Sequence, residues 1–130
     1  MSRSGYTDDC DDNWDMIRWR GAVTSAIRGK RGQEFLREML AALDAMPEKR
    51  LIIEELVGPE GCCALGSVAM QRGLDVSRLD PENSREVAAA FGIPRALASE
   101  VAYLNDEECH YSTDEERWRQ MRAWVQEQIR

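Results

Sequence analysis

Residues 18–46 read RWRGAVTSAIRGKRGQEFLREMLAALDAM, and their spacing decides the fold. Phe35, Leu36, Met39, Leu40, Leu43 and Met46 recur at i, i+3, i+4 and i+7. That period puts them on one face of a helix running from about Gln33 to Met46, with Pro47 just past its end. Upstream, Trp14, Ile17, Trp19, Val23, Ala26 and Ile27 supply the apolar positions of a first helix that Asp12 or Asn13 can cap. Gly29 is a natural left-handed stop between the two helices. The stretch reads as the central antiparallel helical hairpin of the fold, joined at Gly29-Lys30-Arg31-Gly32.

The same stretch holds the one concentration of positive charge in an acidic chain. Residues 17–40 carry Arg18, Arg20, Arg28, Lys30, Arg31 and Arg37 against two acids, a net charge of +4 in a chain of net −7. Such asymmetry implies a face for an anionic partner, or for the protein's own carboxylates. Glycines beside a helix start let backbone N–H groups approach an anion, and the helix dipole adds to the attraction. The segment lacks the G-x-x-x-x-G-K-[ST] spacing of a phosphate-binding loop, so nothing here points to a nucleotide.

Outward from the hairpin, helix formers dominate. Residues 48–57 (EKRLIIEELV) fit a short helix, although Ile52 and Ile53 also suit a strand. Gly58-Pro59-Glu60-Gly61 is a turn, and a small-residue helix follows from Cys62 to Arg72, ended by Gly73. Asp80-Pro81 signals the start of a helix to about Phe91, which Gly92-Ile93-Pro94 breaks. A further helix carries Leu97, Val101 and Leu104. After an acidic loop at 105–113, Thr113 and Glu116 form a capping box for a last helix through Trp118, Met121, Val125 and Ile129. The expectation is an all-α compact bundle of about six short helices over residues 13–130, preceded by a flexible acidic segment, 1–12, disordered or loosely docked.

Composition narrows the class. A chain of 130 residues can bury a core without disulfides. No apolar run approaches a membrane span and no signal-peptide core is present, so a cytoplasmic protein is expected. The cysteines Cys10, Cys62, Cys63 and Cys109, with His110, are too closely paired for a structural zinc site. They read as ordinary thiols, with no metal or cofactor expected. The lone His110 has no orienting acid recognisable from sequence, so an enzyme is not expected.

Several constellations compete as contact surfaces. Arg18-Trp19-Arg20 and Arg117-Trp118-Arg119 repeat a composition found at interface hot spots, though core packing explains the tryptophans first. Trp14 and Trp124 are the better candidates for partly exposed residues, and either would suit a homodimer. Residues 85–101 have a helix-turn-helix look, but the second helix offers Arg95 and Ser99 beside Glu100. The acidic runs 8–12 and 105–108 lack calcium-loop spacing and read as solvated loops or as a docking face for a basic partner. The candidate contact residues are Arg20, Arg28, Lys30 and Arg31 on the basic turn, with Asp106, Glu107 and Glu108 as the competing surface.

Four segments together, SRSGYTDD near the N-terminus, residues 18–52, CALGSV at 63–68 and NDE with EERWRQMRAWV at 105–125, resemble small proteins encoded by bacteriophages and prophages. The resemblance spans nearly the whole chain and brings no functional residues with it. It implies a non-catalytic accessory protein that binds a host or phage protein, such as an inhibitor of a host defence complex in the anti-CRISPR manner. The alternative expectation is a nucleic-acid-binding protein that uses the basic turn around Lys30.

Overall fold

The helix that residues 33–46 predict becomes the centre of the molecule. In the computed structural model, which describes residues 3–6, 13–108 and 112–130, α2 (Lys30–Ala45) buries Phe35, Leu36, Met39, Ala42 and Leu43. It packs against α1 (Asn13–Arg28), α3 (Ala64–Arg72) and α6 (Asp114–Gln128). Leu36, Met39 and Leu43 are fully buried, each contributing about 1.5–3 kcal/mol of hydrophobic stabilisation. One residue, Gly29, separates α1 from α2, and the two touch at their shared corner. There a Cβ on Gly32 would overlap the Ala26 carbonyl, and Gln33 Nε2 donates to Ile27 O at 2.8 Å.

α4 (Ser84–Phe91) and α5 (Arg95–Tyr103) pack on each other, and α5 also contacts α1 and α3. α5 is sunk in the core: Ala96, Leu97, Ala98, Ser99, Glu100, Val101 and Ala102 are all buried. It runs on into a π-helical turn, Leu104–Glu108. Among the described residues there are six α-helices and one small sheet, β1 (Val57–Gly58) paired antiparallel with β2 (Gly61–Cys62) in the register Val57–Cys62. The all-α expectation therefore stands. No single described helix is long and apolar enough to cross a membrane.

The structure corrects two of the expected elements. The helix expected over 48–57 is instead a loop that buries Leu51 and Leu56 and leads into β1. Three of its backbone bonds go to partners outside it: Leu51 N donates to Asp114 O, Ile52 N to Cys62 O, and Leu56 O accepts from Cys63 N, each at 3.0 Å. These long-range bonds replace the local ladder that the apolar spacing suggested. α3 lies so close to this loop that a Cβ on Gly66 would overlap the Leu56 carbonyl.

The fourth helix starts at Ser84, not at Pro81. Asp80 Oδ1 accepts from Glu82 N at 3.0 Å, closing a side-chain turn, and Asn83 is the cap, accepting from Glu86 N at 3.2 Å. At the N-terminus, within the segment 1–12 expected to be flexible or loosely docked, residues 3–6 are docked, and Arg3 and Ser4 are each only 4% exposed. Residues 1–2 and 7–12 lie outside the described residues. The expected cap of the last helix is present: Thr113 Oγ1 accepts from Glu116 N at 3.1 Å.

Candidate functional site

The α1–α2 corner presents its cations to solvent. Gly29 is not the left-handed stop expected of it: extended at φ −66° and ψ 162°, it stands at the N-cap of α2 and has no side chain to cap it. No acid lies in the first turn of α2; Lys30 and Arg31 do, and both are exposed. Cations at this end oppose the helix dipole, which favours negative charge there by about 0.3–1 kcal/mol per group. Arg28 occupies the last turn of α1, where the dipole favours it. Among the described residues, none of these cations forms an ion pair.

Three arginines elsewhere are engaged. Arg72 and Arg122 grip Glu38 and Asp44 with two hydrogen bonds each. Arg117 is buried and holds both the 46–56 loop and its own helix start, donating to Leu51 O, Ser112 O and Asp114 Oδ1 at 2.7–3.0 Å. Trp118 beside it is half-buried, donating from Nε1 to Leu43 O at 3.1 Å with Lys49 over its ring. These residues secure the fold, and Arg117 is held inside it.

Arg20 and Arg28 do come together. They line a polar cleft of about 300 Å³ between α1 and α6, with Thr24, Glu100, Trp124 and Glu127. Arg20 is answered internally: its Nη1 and Nη2 donate to Glu100 at 2.8 and 3.1 Å, and those bonds raise its pKa. Glu100 also accepts from Tyr6 Oη at 2.9 Å, and the Tyr6 ring meets Trp19 edge-on at 5.6 Å. Lys30 and Arg31 sit beyond the cleft on the turn and do not line it. The candidate set thus divides, with Arg28, Lys30 and Arg31 free to meet an anion and Arg20 already paired.

The acidic alternative is reduced. Asp106 was expected on an exposed loop; instead it is buried in the π-helical turn. Arg3 Nε and Nη2 donate to its two oxygens at 2.7 and 2.6 Å. Its Oδ1 also accepts from Asn105 Nδ2 at 2.8 Å and from Glu54 N at 3.2 Å. An external partner has no access to this carboxylate. Glu107 is half-buried and Glu108 exposed, the latter accepting from Tyr103 Oη at 3.3 Å. Only these two remain at the surface.

The helix-turn-helix likeness at 85–101 does not carry over to a reader of DNA, because the helix that would enter a groove, α5, is buried. Cys62 and Cys63 are buried free thiols. Cys63 caps α3, its Sγ accepting from Gly66 N at 3.4 Å, and Arg3 Nη1 donates to the same sulfur at 3.4 Å. Cys10, Cys109 and His110 lie outside the described residues, as does the side chain of Trp14. Trp124 is half-buried in the cleft wall. The sequence reading missed Arg3 altogether, since its partner lies 103 positions away and no local pattern links them. Compared with known proteins, the chain matches no family model, no curated protein and no solved structure.

Proposed function

We propose that the protein is non-catalytic and acts by binding an acidic surface of another protein through the α1–α2 corner. The observation that supports this is the pair Lys30 and Arg31, exposed in the first turn of α2 without a carboxylate partner among the described residues. Folding gains nothing from cations at that end of a helix, whereas an acidic partner would meet cations, the uncapped N–H groups and the dipole together. The likeness to small phage-encoded proteins adds a context: an accessory protein whose target is a host or phage protein, with a host defence complex as the leading class.

The test is affinity capture from bacterial host cells with wild type and with the Lys30→Glu/Arg31→Glu variant. A protein retained by wild type and lost with the variant supports the reading. If none behaves so, the proposal fails. The same cations would also serve nucleic acid, the second reading. That reading predicts affinity for duplex or single-stranded DNA, or for RNA, that falls steeply with salt, by a log–log slope of about −0.7 to −0.9 per neutralised phosphate. Absence of binding at low salt removes it.

A further inference from the structure

A second surface has the opposite chemistry. The end of α2, the β1–β2 hairpin and α3 enclose a groove of about 460 Å³, within the size range of clefts that hold ligands. Ala42, Ala45, Met46, Pro47, Val57 and Met70 make it apolar. The small alanines keep α2 low along one side, and Cys62 and Ser67, both buried, lie at the base. Val57 and Met70 are 41% and 64% exposed, and the described chain has only two other large apolar side chains so open, Met16 and Ile17. Exposed apolar side chains gathered at a concave surface, one of them an adaptable methionine, mark a place for another chain.

Charge narrows what that chain is. Glu48 and Glu60 line the groove, and the Glu55 carboxylate lies over Gly58, another lining residue. Arg50 pairs with Glu48 at 2.8 Å. Glu55 and Glu60 form no ion pair among the described residues. Lys49, the nearest other cation in sequence, turns away to donate to the carbonyls of Asp44 and Met46. An apolar groove with an acidic rim repels phosphates and acidic segments and attracts cations.

We propose that this groove docks a basic amphipathic segment of a partner protein, with an apolar side chain held between Val57 and Met70 and its cations against Glu55 and Glu60. None of the basic-corner residues lines the groove, so the proposal stands or falls independently of that surface.

The probe is a fluorescein-labelled Leu/Lys peptide with helical period, compared with a Leu/Glu peptide of the same period and with a Leu/Lys peptide scrambled to remove it. Fluorescence anisotropy gives affinity, and amide chemical shifts of the labelled protein give the place. The expected result is binding of the first peptide, none of the second, and about tenfold weaker binding of the third, with shifts gathered at Ala45, Val57, Gly58 and Met70. Met70→Asp and Val57→Asp each weaken binding about tenfold, since loss of a central anchor dominates such contacts. Both positions are exposed, so the thermal midpoint stays near that of wild type and separates lost binding from lost fold. Glu60→Lys weakens binding, and Lys30→Glu/Arg31→Glu does not. Shifts centred elsewhere, equal binding of the Leu/Glu peptide, or indifference to Met70→Asp would overturn the proposal. So would a dimer in light scattering that Met70→Asp dissolves, because the occupant would then be a second copy of the chain.

Discussion

Arg3 and Asp106 meet through two hydrogen bonds, with side chains only 3% and 9% exposed. Burial works against the charged guanidinium, but the Cys63 sulfur and the Asp106 carboxylate more than reverse this and raise its pKa. A buried pair of this kind adds little net stability when intact, and its loss on one side strands a charge in a poor solvent. Arg3→Ala is therefore expected to lower stability by about 3–5 kcal/mol, because Asp106 is left buried without its cation. Urea unfolding followed by circular dichroism measures this, and a change under about 1 kcal/mol would show that residues 3–6 do not hold the π-helical turn in solution. No periodic signal in the sequence could reveal the pair, because a lone arginine near a chain end is ordinarily solvated.

A buried thiol and a half-buried phenol set an alkaline limit. Burial first, and then neighbouring Cys63, pushes the Cys62 thiol up to about 11 from an ordinary 9.0. Burial likewise raises Tyr6, with the Glu100 charge adding to the effect. Both groups keep their protons longer in the folded chain than in the unfolded one. Their stabilising contribution is thus complete below about pH 9 and is lost as pH climbs towards the folded values. The thermal midpoint should fall between about pH 8 and about pH 10.5, and Cys62→Ala should flatten part of that fall. A flat profile in wild type would contradict the shielding of both groups from water.

At the scale of elements, glycines in neighbouring helices make opposite predictions. Gly21 lies inside α1 with open space where a Cβ would stand, so it costs the helix about 1 kcal/mol without aiding any close approach. Gly21→Ala should raise stability by about 0.5–1 kcal/mol. Gly32 lies in α2, where a Cβ would overlap the Ala26 carbonyl, and Gly32→Ala should cost about 2 kcal/mol or more by pushing the corner apart. Thermal melts of both variants test the pair, and the expected signs are opposite. Sequence alone gives Gly21 room for a neighbouring helix, and the structure shows none there, because the distinction depends on which backbone lies opposite. Elements whose stabilising contacts are local were legible: the period of α2 and the Thr113 cap of α6 lie within one turn. The 46–56 loop was not, since its hydrogen bonds run to Cys62, Cys63 and Asp114.

At the scale of the whole molecule, the basic corner was legible as charge but not as availability. The six cations of residues 17–40 are alike in sequence, and the structure separates them: Arg20 faces Glu100, while Arg28, Lys30 and Arg31 face solvent. This separation gives a prediction in which binding and stability move apart. Replacing Lys30 and Arg31 by glutamate puts negative charge in the first turn of α2, where the dipole stabilises it by about 0.3–1 kcal/mol per group. Against this stands added self-repulsion in a chain already at net −7, which salt screens over about 10 Å at 0.1 M. At moderate salt the Lys30→Glu/Arg31→Glu variant should therefore melt at or above the wild-type temperature while losing the acidic partner proposed for it. A lower midpoint that salt does not restore would mean that the cations do hold the fold together, and the corner would then be a structural turn rather than a binding surface.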